Sequence, residues 1–198
     1  MFFDINYLIY MIPAFILMAL TSWYVKSSYN KWSQVRARSG LTGAQATQRL
    51  ISAGGLYGVR VEGIAGEMTD HYDPRDKVLR LSQGVANVPS VAALAIAAHE
   101  LGHAMQDEEN YFPLRLRAAL VPAVNIGSNL GWILILIGLF LGLTQLAWIG
   151  VIAFSAGTVF ALATLPVEFD ASARAKRLLA DSGIISGQEE MNGVNSVL

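Results

Sequence analysis

Charge disappears from this chain in two places. Residues 5–25 run INYLIYMIPAFILMALTSWYV without a charged side chain, and residues 118–167 do the same over fifty positions. At ~1.5 Å per residue the first block makes about 31 Å of helix, enough for a ~30 Å hydrocarbon core. It begins Met1-Phe2-Phe3-Asp4, without the basic region of a signal peptide, and ends Trp23-Tyr24-Val25-Lys26. It therefore reads as an uncleaved anchor, aromatic at both interfaces and kinked at Pro13. The second block would make about 75 Å of helix, so it must fold into two spans. A turn at Gly142-Leu143-Thr144-Gln145 gives spans over 118–143 and 146–165. Gly127/Gly131 and Gly138/Gly142 are small pairs four apart: either points of close helix approach or scattered membrane glycines.

Between the anchors, residues 26–117 carry mixed patterns of a small α+β unit. Thr42-Gly-Ala-Gln45 is a capping-box start for a helix to Ala53, stopped by Gly54-Gly55. Residues 58–62 form a short strand candidate. Residues 68–72 and 77–81 flank Asp73-Pro74-Arg75-Asp76, a type I turn, and so predict an antiparallel hairpin. Ser90 then caps a helix over 90–106, apolar from Val91 to Ala98. Beyond the third span, residues 166–198 read as a helical tail. The expectation is a mostly α membrane protein with three transmembrane helices and one small α+β unit.

Composition agrees with the pattern: hydrophobic residues are 54 %, charged residues only 15 %, against about 25 % in soluble chains. A net charge of −1 supplies no field for nucleic acid, which is excluded as a partner. The absence of cysteine excludes disulfides and thiolate metal sites, leaving histidines and carboxylates as ligands. Basic residues flank the blocks on one side only: Lys26, Lys31, Arg36 and Arg38; Arg115 and Arg117; Arg174, Lys176 and Arg177. That side should be cytoplasmic, with the N-terminus outside and the 26–117 unit and the tail inside.

The chemistry sits at the end of the 90–106 helix, His99-Glu100-Leu101-Gly102-His103. Two histidines four apart share one helical face and reach one zinc, and Glu100 is placed to act on a zinc-activated water as general base. No histidine follows His103, so a carboxylate must complete the site. Glu168, the first charge after the third span, is the favoured third ligand. Its competing reading is an interfacial glutamate paired with Arg117 or Arg174. Asp170 is the rival ligand, or else orients an imidazole from behind or pairs with a cation. His71, in Thr69-Asp70-His71-Tyr72-Asp73-Pro74-Arg75, has two readings: an oxyanion or substrate contact, or a strand histidine held by Asp70 or Asp73. Tyr72 is a weaker donor candidate.

These residues resemble a family, the YugP-like neutral zinc metallopeptidases of bacterial membranes. The resemblance covers nearly the whole chain. It rests on Thr69-Asp-His-Tyr-Asp-Pro-Arg75, on Ala97-Ala-His-Glu-Leu-Gly-His-Ala104, on Leu116-Arg117 running to Val121-Pro122, and on Pro166-Val-Glu-Phe-Asp-Ala-Ser172. It implies a zincin-like (gluzincin) protease of the bacterial inner membrane. One Zn²⁺ per chain would be held by His99, His103 and Glu168, with Glu100 as base and a membrane-proximal polypeptide as substrate. More distantly the chain is similar to the HtpX and prenyl-protein protease group, which places an aspartate four residues after its glutamate ligand. Here that position is Ser172, so its outer role is not carried over directly. Two other functions compete: a site-2-type intramembrane protease and a non-catalytic scaffold around a structural zinc. The eight-residue apolar run before His99 is too short for the first. An intact Glu100 is superfluous for the second.

Overall fold

A computed structural model describes residues 5–198; the side chains of residues 5–8 and 10 lie outside the described residues, as does the aromatic start at residues 1–4. The protein is mostly helical, with one small sheet. Two compact units divide it: Met1–Leu101 with Ala175–Leu198, and Gly102–Arg174.

In the first unit, α1 (Ile5–Ser33) leads to α2 (Gly43–Ala53). The capping box closes α2 as its sequence dictates. The Gln45 N–H donates to Thr42 Oγ1 at 3.4 Å and the Thr42 N–H to Gln45 Oε1 at 3.0 Å. At its other end the Gly54 N–H bonds the Leu50 carbonyl and Gly55 turns the chain at φ +70°. The sheet has the order β1-β3-β2, with β1 (Arg60–Ile64) parallel and β2 (His71–Asp73) antiparallel to β3 (Val78–Ser82). As the central strand, β3 buries Val78, Leu79, Leu81 and Ser82 on its two faces. The strands begin later than expected from 68 and 77. Met68 and Lys77 have φ of +54° and +50°, a left-handed backbone that no strand accommodates. β1 likewise starts at Arg60, not Gly58. The turn between β2 and β3 is closed by Asp73, whose Oδ1 accepts the Arg75 N–H at 3.0 Å.

After the short α3 (Gln83–Ala86), α4 (Val91–Glu108) starts at Ser90, whose Oγ accepts the Ala93 N–H at 3.2 Å. Its first two turns are apolar all round and almost wholly buried, as befits the start of a core helix, and that apolar stretch is too short to span lipid. The C-terminal segment also belongs to this unit. Helix α7 (Gln188–Val197) packs on α1, where a Cβ on Gly193 would lie 2.6 Å from the Trp32 ring and Ser28 Oγ donates to the Ser196 carbonyl at 2.6 Å. Glu190 is only 3 % exposed, yet both its oxygens are satisfied by backbone, the N–H groups of Arg38 (2.7 Å) and Ser186 (3.0 Å). The tail is thus a structural part of this unit, which its polar composition concealed.

In the second unit, α5 (Phe112–Phe140) and α6 (Thr144–Asp181) form an antiparallel pair; both are long and apolar enough to cross a bilayer. The turn between them is a Schellman motif: the Leu143 N–H reaches the Gly138 carbonyl at 2.8 Å, the Gly142 N–H reaches that of Leu139, and Gly142 sits at φ +68°. Gly142 is therefore a turn glycine. The close approaches are made instead at seven-residue spacing, by Gly131 and Gly138 on α5 and Gly150 and Gly157 on α6. A Cβ on Gly131 would lie 2.6 Å from the Phe154 nitrogen, and one on Gly150 2.6 Å from the Gly131 carbonyl. Gly127 meets nothing closer than 3.9 Å. The third expected span and the helical start of the tail are one continuous helix. Its Pro166 removes a single N–H without ending it.

Candidate metal centre

His99 and His103 project from consecutive turns of α4, one helical turn apart as their spacing requires. The residue between them with no side chain, Gly102, explains how α6 comes so near. A Cβ there would fall on the carbonyl of Ala171, so only glycine lets the two backbones touch. Ala171, Ser172 and Val167 are buried on the facing side of α6. This approach brings Glu168 to His103, with 3.4 Å between Glu168 Oε2 and His103 Nε2. His103 and Glu168 each offer one ligand atom here, and His99 stands one turn earlier on α4.

Two neutral imidazoles and a carboxylate form a donor set suited to zinc. Bonds of ~2.0–2.1 Å in a tetrahedral site set ligand atoms about 3.3–3.4 Å apart, and the His103–Glu168 separation matches that edge. The residues present therefore fit a zinc ion. The other Glu168 oxygen, Oε1, accepts from Arg117 Nη1. The partnership with Arg117 and the position beside His103, weighed as alternatives from the sequence, coexist on the two oxygens of one carboxylate.

Asp170 does not join this group of ligand atoms. Its Oδ2 accepts from Gln106 Nε2 at 2.8 Å and from Arg174 Nε at 2.6 Å. Arg174 continues to Glu109 Oε1 at 2.7 Å, and the two acids, Glu109 foremost, hold its guanidinium well above the ordinary value and so permanently charged. Gln106, fully buried, also donates from Nε2 to the Val167 carbonyl at 2.8 Å, while its Oε1 lies 3.0 Å from His103 Nδ1. Sequence reasoning passed over Gln106, although a polar residue three positions after His103 shares its helical face. Ser172 is buried on α6, two residues beyond Asp170.

Glu100 is held from the sheet. The Tyr72 N–H of β2 donates to its Oε2 at 2.9 Å, so Tyr72 meets the motif through its backbone. His71 is engaged differently. Its Nδ1 lies 2.8 Å from the Thr69 carbonyl, and its Nε2 lies 3.5 Å from Arg80 Nη1. Neither Asp70 nor Asp73 holds it. Asp70 receives the Ser82 N–H and hydroxyl (2.7 and 3.0 Å). Asp73 pairs with Arg80 at 2.8 Å, and that hydrogen bond holds its carboxyl below the usual carboxylate range.

Comparison with known proteins agrees with the donor set. The family model described as "Putative neutral zinc metallopeptidase" matches residues 7–198. The chain is 48 % identical over 174 residues to the "Putative membrane protease YugP" of Bacillus subtilis (strain 168), covering 88 % of this chain and 77 % of that protein. No solved structure matches.

Proposed function

Because the chain belongs to the putative neutral zinc metallopeptidase family, we propose that it is a membrane-anchored zinc endopeptidase with Glu100 as its general base. The observation that carries the reading is the 3.4 Å between His103 Nε2 and Glu168 Oε2, with His99 one turn away on the same helix. His99, His103 and Glu168 would hold the ion. When bound, zinc supplies Lewis acidity: it makes a water nucleophilic near neutral pH and polarises the scissile carbonyl.

The remaining work belongs to the chain. The Tyr72 N–H fixes one oxygen of Glu100 and with it the plane of the carboxylate. So oriented, Glu100 takes the proton of the attacking water and later returns it to the leaving amine. Arg117 ties up Glu168 Oε1, which favours ligation through Oε2 alone. β2 is an edge strand of the sheet, so an extended peptide can add beside it through main-chain bonds, with the Tyr72 phenol as donor toward the carbonyl oxygen. His71, whose Nδ1 gives its hydrogen to the Thr69 carbonyl and whose Nε2 faces Arg80, is left to contact substrate without donating.

Membrane association is supported by α5, α6 and the membrane protease relative. We assign α1 as a third span, the N-terminus to the outside, and the site to the cytoplasmic face of the bacterial inner membrane. Its substrates are then membrane-proximal polypeptides. The test is Glu100→Gln in detergent-purified protein, with zinc content and peptide cleavage measured together. One zinc per chain should remain while cleavage falls by about 10²–10⁴-fold. Unchanged cleavage would remove Glu100 as the base, and a wild type that takes up no zinc would overturn the assignment.

A further inference from the structure

Gln106 is buried in the fold and no step of the proposed hydrolysis uses it, yet all its polar atoms are committed. Its Nε2 faces two groups, the Val167 carbonyl and Asp170 Oδ2, at 2.8 Å each. A carbonyl oxygen is always an acceptor, and Asp170, held by Arg174, is an acceptor when ionised. The amide therefore has one orientation only, since the flipped form would set its oxygen against two other oxygens. Its Oε1 must then be the atom 3.0 Å from His103 Nδ1. An amide oxygen cannot donate, so Nδ1 carries the hydrogen. In the neutral ring the lone pair falls on Nε2, the nitrogen that faces Glu168.

We propose that Gln106 is a positioning residue that locks His103 in the Nδ1–H tautomer and so presents Nε2 for metal binding. Asp170 and Arg174 act through it rather than on the imidazole. The aspartate reaches the ring by way of an amide that accepts at one end and donates at the other. Its own position is set from behind: Arg174, 13 % exposed at its side chain, bridges Asp170 and Glu109 and lies 5.9 Å from the Tyr111 ring. Tyr111 in turn donates its N–H to the Gln106 carbonyl at 2.8 Å, closing the circuit on the residue it serves. The inference rests on the zinc reading for its purpose, but not for its geometry.

Three histidines make the imidazole nitrogens resolvable in the metal-free protein by ¹⁵N-histidine NMR, at a pH about two units above the ordinary histidine value. His103 of the wild type should show a protonated Nδ1 and an unprotonated Nε2. Gln106→Met, which keeps the volume and removes the polar atoms, should redistribute the ring towards Nε2–H and weaken zinc binding by about 10–100-fold. Asp170→Asn retains an oxygen where Gln106 and Arg174 donate, so its tautomer should remain that of the wild type. A wild-type His103 protonated at Nε2 would overturn the proposal without requiring any variant to fold. An unaltered tautomer in Gln106→Met would overturn it too. Failure of the wild type to bind zinc while His103 keeps the Nδ1–H form would instead count against the metallopeptidase reading.

Discussion

Two stretches of the same helix make their close contacts by opposite divisions of labour. Between Thr144 and Leu165, α6 meets α5 with Gly150 and Gly157 set against Gly131 and Ser128 and with Ala147 against Gly138, and nearly every large side chain there points outward. Between Pro166 and Arg174 the same helix meets α4 through Ala171, set against Gly102, and Glu168 and Asp170 are turned to polar partners. In both places a missing side chain brings backbones together. With α5 and α6 crossing a bilayer, as proposed, apolar burial would give no preference for helix over lipid, and the first contact would rest on packing alone. The second, made through equally small residues, brings a carboxylate to an imidazole. Backbone proximity is thus a means in one case and the whole of the interaction in the other.

Three substitutions separate the two contacts. Gly102→Ala should have the largest effect, because its methyl would overlap the Ala171 carbonyl and push α6 from His103. We expect about 1–3 kcal/mol of destabilisation and at least ~10-fold weaker zinc binding, a loss comparable to that of an outer hydrogen-bond partner. Zinc titration of the purified protein reads it, and wild-type affinity would show that α6 accommodates the methyl without moving Glu168. Gly131→Ala places its methyl 2.6 Å from the Phe154 nitrogen. It should destabilise the α5–α6 pair by about 1–3 kcal/mol in detergent unfolding, with zinc stoichiometry unaffected. Zinc loss here would mean that the two contacts are not independent. Gly127→Ala should be the mildest. With no neighbour inside 3.9 Å, only helix propensity acts, and stability should rise by up to about 1 kcal/mol. A loss as large as that of Gly131→Ala would restore the four-residue pairing that the sequence suggested.

The same contrast shows why some of the molecule was legible and some was not. The capping box at Thr42, the Ser90 cap and the turn at Gly142 are local devices, written in three or four adjacent residues, and each forms as its neighbours require. The starts of β2 and β3 are not legible, because the side chains of Met68 and Lys77 do not reveal the left-handed backbone that the structure gives them. Nothing in the residues beside Glu190 marks it as buried. Only the chain returning past Arg38 makes it a buried carboxylate held by two backbone N–H groups.

The sequence by itself determined the helix that carries His99, Glu100 and His103, the apolar blocks, and the restriction of metal ligands to imidazole and carboxylate. These follow from periodicity and residue chemistry, which need no partner. Tertiary structure decided that Glu168 divides its oxygens between Arg117 and His103, and that Asp170 stands back behind Gln106. Residues sixty positions apart meet only where Gly102 lets two helices touch, and no local pattern records which side chains will face each other there.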